Sequence, residues 1–126
     1  MKRVIMVLAA GLLLLAAGTV PTMRASAQQP AVTDDNLDQM ISAAKTPADH
    51  EAIAAYYDNE AAANEEKAKL HHATHHAYEQ FKIKPSDMGP HCDALAKYYQ
   101  RVANENKALA AGHREMAKKA GAQAGQ

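Results

Sequence analysis

The 126-residue chain has no tryptophan, a single phenylalanine (Phe81) and a single cysteine (Cys92). A chain of this size with so few large apolar side chains can bury only a modest core. With one cysteine it can build no internal disulfide framework, so Cys92 is left as a buried thiol, a metal ligand or half of an intermolecular bridge. β-Branched runs are missing as well, which excludes a β-sandwich or an α/β domain. The apolar run Val4–Ala17 spans about 14 residues, short of the roughly 20 that a bilayer span needs. Catalytic signatures are also lacking. There is no Gly-x-Ser-x-Gly elbow, no His-Glu-x-x-His and no glycine-rich phosphate loop, and these absences argue against an enzyme. No Cys-x-x-Cys-His occurs, so covalent haem attachment is excluded.

Charge is balanced only at first sight, at 14 basic and 14 acidic residues. Lys2 and Arg3, the apolar run and the small residues Ala25-Ser26-Ala27 form a secretory signal over residues 1–27. Cleavage after Ala27 removes Lys2, Arg3 and Arg24 and leaves 99 residues with a net charge of −3, histidines neutral. A nucleic-acid or anionic-membrane binder would need the opposite sign. The expected mature protein is a single domain, residues 28–126, periplasmic or secreted, without a membrane span.

What is abundant is alanine, the strongest helix former. Residues 28–32 read as a disordered lead-in. Thr33 with Asp34 and Asp35 reads as the start of a short helix bearing Leu37, Met40 and Ile41 and ending near Lys45. Thr46-Pro47-Ala48-Asp49 is a capping box with proline in the first turn. The spacing predicts one long helix from there to about Glu79, a link from Lys82 to Gly89, and a second long helix from Pro90 to about Ala120. Residues 121–126 read as a disordered tail. A shift of 42 residues lays Ile53 on Leu95, Tyr56-Tyr57 on Tyr98-Tyr99, Asn64 on Asn106 and His71 on His113. The expected fold is therefore all-α, a long antiparallel helical hairpin made of an internal repeat. Two such helices bury little by themselves. Either the short helix docks on them or the chain forms a homodimer, two hairpins making a four-helix bundle.

In heptad terms, positions a hold His50, Tyr57, Asn64, His71 and Tyr78 in the first long helix, and Cys92, Tyr99, Asn106 and His113 in the second. Ala54, Ala61 and Ala68 of the first long helix and Ala96, Ala103, Ala110 and Ala117 of the second fall at position e, so an a/e seam with closely approaching backbones is expected. Setting His50 opposite His113 places Tyr57 opposite Asn106, Asn64 opposite Tyr99 and His71 opposite Cys92.

Seven histidines are an unusual share for so small a chain. Four lie in His71-His72-Ala73-Thr74-His75-His76, as two i,i+4 pairs whose rings can share an ion. The hairpin turns His71 and His75 inward, toward His91 and Cys92, while His72 and His76 point outward. Four nitrogen and sulfur donors at the bend would suit zinc, and with Met88 nearby they would suit copper. At the opposite end His50 meets His113, with Met116 one turn on. That pair makes a secondary metal site or, across a dimer, axial ligands for a non-covalently bound haem. The leading expectation is a transition-metal protein, copper or zinc, for storage, buffering or delivery, with His71, His75, His91, Cys92, His50 and His113 as ligands. The competing expectation is a non-catalytic structural or interaction module of the cell envelope with pH-responsive histidines.

Overall fold

The computed structural model describes residues 30–82 and 87–125; the expected signal, residues 1–27, and the middle of the link, 83–86, lie outside them. Among the described residues the secondary structure is entirely helical. It comprises α1 (Leu37–Ala43), α2 (Pro47–Phe81) and α3 (Met88–Ala124). The two long helices pack along one another, and α1 packs on α2. No helix among the described residues is long and apolar enough to cross a membrane.

The start of α2 is fixed by the expected capping box. Thr46 Oγ1 accepts from the Asp49 amide at 3.1 Å, and Asp49 Oδ2 accepts from the Thr46 amide at 2.8 Å. Proline stands in the first turn, where its missing N–H costs nothing. The end of α2 is a left-handed residue, Lys82, with φ 48°.

Three boundaries differ from the sequence expectation. Thr33 does not cap α1; Asn36 occupies the cap position but turns its side chain backward. Its Oδ1 accepts from the Thr33 amide and its Nδ2 donates to the Ala31 carbonyl. An Asx-type turn thus orders part of the lead-in expected to be disordered, and it delays the helix to Leu37. Tyr56 holds this turn to α2, its hydroxyl donating to Asp34 at 2.8 Å. That bond, with burial and the Asp34 charge behind it, pushes the phenol pKa up to about 12. At the other end, α3 begins at Met88 and runs to Ala124. Gly121 lies inside α3, so residues 121–124 are helical where a disordered tail was expected, and a Cβ at Gly121 would meet the Pro47 ring at 3.6 Å.

The core is the alanine seam. Ala54, Ala61 and Ala68 of α2 and Ala96, Ala103, Ala110 and Ala117 of α3 are all buried, and among the described residues Ile53 is the one large side chain fully enclosed. Small side chains let the helices approach closely, and burial per residue is correspondingly modest. Polar residues complete the seam. Asn64 is buried and donates to the Glu60 carbonyl one turn back at 2.7 Å.

One edge of the hairpin carries ion pairs that match its antiparallel direction. Arg114 bonds Asp58 at 2.5 Å and stands 3.7 Å from Glu51, and Lys107 pairs with Glu65. These residues all occupy position b. The α2 edge is acidic where the α3 edge is basic, and each contact holds the carboxylates of Asp58 and Glu65 below their usual range. Parallel helices would lose this match.

Candidate functional site

The ends of the seam hold the histidines, and the two ends are built differently. At the open end, His113 of α3 is buried. Its Nδ1 lies 3.3 Å from His50 Nδ1, and the ring centroids are 5.5 Å apart. On its other side Tyr57 stacks at 5.8 Å and 27°. His113 therefore sits between two successive a residues of α2. Its pKa is lowered from the ordinary 6.5, first by burial and then by the neighbouring His50. In a neutral pair at this separation one ring nitrogen donates and the other accepts.

Side chains of the two helices interleave instead of meeting level. The expected pairing of His50 with His113 is present. The Tyr57 ring, however, also lies on His113, and the His71 ring stacks on Tyr99 at 5.4 Å and 8°. Tyr99 also carries Lys67 over its face at 5.5 Å. The physical reason is that a helical side chain leans toward its own N-terminus, so antiparallel knobs enter holes between layers.

At the bend, the expected ligands go separate ways. His71 is taken up in the stack with Tyr99. His75 Nδ1 is 3.0 Å from the Gly89 carbonyl, so this ring nitrogen donates and ties α2 to the first turn of α3. Gly89 permits that approach, since a Cβ there would stand 3.1 Å from Glu79 Oε1 and 3.4 Å from His75 Nδ1. His91 points outward, its side chain 72% exposed and 4.0 Å from Asp87. Cys92 is a buried free thiol. Among the described residues no three His, Cys, Asp or Glu side chains form a group that could hold a metal ion. The four-donor set His71, His75, His91 and Cys92 is thus not gathered around a common point.

The sequence reading set aside His72 and His76 as outward-facing. Their rings meet edge to face, with centroids 4.6 Å apart. Together with Asp93 and Lys97 of α3 they border an open groove of about 580 Å³ floored by Ala68, Ala73 and Ala96. Lys97 bonds Asp93 at 2.7 Å and lowers its pKa, with His75 and His72 contributing. The signal for this groove was present in the heptad, because His72 and Asp93 both fall at b, the position that carries the ion pairs further along.

No family model, curated protein or solved structure matches this chain.

Proposed function

We propose that the chain is an exported, non-catalytic helical-hairpin module of the cell envelope. It acts by assembling with other protein surface, and its seam histidines make it responsive to acid. The observation that carries this reading is the buried His113, wedged between His50 and Tyr57. Facing it from α2 are the titratable His50 and Tyr57, and the Glu51–Arg114–Asp58 ion pairs adjoin it. Loss of the neutral form charges a ring that burial disfavours and turns the His50 contact into a repulsion.

In the same reading the module is a homodimer in which two hairpins form a four-helix bundle, since an alanine seam supplies little buried area for 35- and 37-residue helices. The arms are two copies of one helical unit. Burial of Ala54, Ala61 and Ala68 and of their 42-residue partners Ala96, Ala103 and Ala110 supports this. The test is thermal melting with sedimentation between about pH 7.5 and about pH 5, spanning the imidazole range. Loosening on acidification supports the reading, and an unchanged melt overturns it.

A second reading, a copper or zinc protein, is favoured by one distance. Tetrahedral zinc with nitrogens at roughly 2.0–2.1 Å separates them by about 3.3 Å, and the two Nδ1 atoms are 3.3 Å apart. In this reading His50 and His113 are the primary ligands in place of the bend cluster. A melting midpoint raised by zinc or copper in the wild type, and in neither His50→Ala nor His113→Ala, supports it.

A further inference from the structure

Met88, Leu95, Val102, Leu109 and Met116 recur at every seventh residue of α3. They form one edge of the helix, position d, beside the seam but outside it. Leu95, Leu109 and Met116 are 40–48% exposed, Met88 is 36% exposed and Val102 is half-buried. From Met88 to Met116 the stripe is about 42 Å long at a rise of 1.5 Å per residue. A continuous apolar heptad of that length facing solvent marks a helix seam waiting for a partner. The matching edge of α2 offers Glu60, Lys67 and Thr74, and α1 packs on α2.

We infer that this stripe is the surface on which a second copy of the chain docks, antiparallel, about a two-fold axis at Val102. The inference rests on the homodimer part of the reading above and supplies its interface. Three observations choose the occupant. The stripe reads Met-Leu-Val-Leu-Met, the same in both directions. A two-fold axis at Val102 therefore sets Met88 against the partner's Met116, Leu95 against the partner's Leu109 and Val102 against itself. Contacts related by two-fold symmetry require such self-complementarity. Next, Arg101 and Glu105 flank Val102 on one side of the stripe, and among the described residues neither is in an ion pair. Antiparallel docking brings each Arg101 within a turn of the partner's Glu105, twice over. Finally, a hairpin face some 40 Å by 20 Å would cover roughly 800 Å² per copy, the size of a stable specific interface.

Sedimentation equilibrium of the purified protein at neutral pH, with far-UV circular dichroism as a check on folding, provides the test. The wild type is expected to be a dimer. Val102→Asp and Leu95→Lys are each expected to yield a helical monomer. In the double variant L95K/L109E each new cation faces a new anion of the partner, and dimer should return. Where Val102→Asp unfolds the chain, V102C in a C92S background replaces it, and a disulfide-linked dimer is expected on mild oxidation. A monomeric wild type overturns this inference and the homodimer together. A wild-type dimer indifferent to Val102→Asp and Leu95→Lys overturns the interface and leaves the homodimer standing. Failure of L95K/L109E to recover, or of V102C to cross-link, overturns the antiparallel arrangement centred on Val102.

Discussion

His50 and His113, 63 residues apart in the chain, face one another across the hairpin with Nδ1 atoms 3.3 Å apart. Both cannot be protonated without placing two positive rings in contact, and one of the rings is buried. The proposed acid response of the open end rests on this relationship.

Because the folded-state pKa of His113 lies below the ordinary 6.5, the unfolded chain takes up its proton first as the pH falls. The contribution of the site to stability is complete above 6.5 and drains away as the pH drops through the lower folded-state value. The melting midpoint should fall over that window in the wild type. His113→Phe keeps a ring against Tyr57 and removes the titration, so its midpoint should vary less with pH.

Zinc offers a separate check on the same pair. Should the two rings chelate, the melting midpoint will rise with zinc concentration, because a ligand that binds only the folded form stabilises it. His50→Ala and His113→Ala would each abolish the rise, whereas His91→Ala, at an exposed position, would leave it intact.

Ala103 is fully buried between the helices, so Ala103→Leu must push them apart. Overpacking of this kind costs about 1–3 kcal/mol. Chemical denaturation should register the loss, while Ala111→Leu, on the exposed face, should change stability little.

The capping box predicts a smaller effect. Thr46→Ala removes the acceptor for the Asp49 amide and should cost ~1 kcal/mol. Amide exchange should quicken in the first turn of α2 and not in its middle.

The architecture was legible in the sequence because its signals are periodic. Thr46, Pro47 and Asp49 marked the start of α2, and the seven alanines at position e marked the seam that burial of Ala54 through Ala117 bears out. Smaller features escaped for local reasons. Asn36 spends its side chain on Thr33 and Ala31, a competition between turn and cap that composition does not resolve. The bend cluster depended on whether His71 stood level with Cys92. Heptad letters assign a face but not a height along the axis, and the stack of His71 on Tyr99 follows from side-chain lean. The groove beside His72 and His76 was passed over because positions b and f read as solvent until the opposing b residues of α3 are drawn in.

The nearness of Gly121 to Pro47, whose ring an added Cβ would meet at 3.6 Å, has a geometric consequence. The chain enters α2 and leaves α3 at one pole of a slender rod, and 35 residues of helix carry the other pole about 52 Å away. Five of the seven imidazoles, from His71 to His91, cluster toward that distant tip. The histidine-rich tip is held out from the base like the head of a probe.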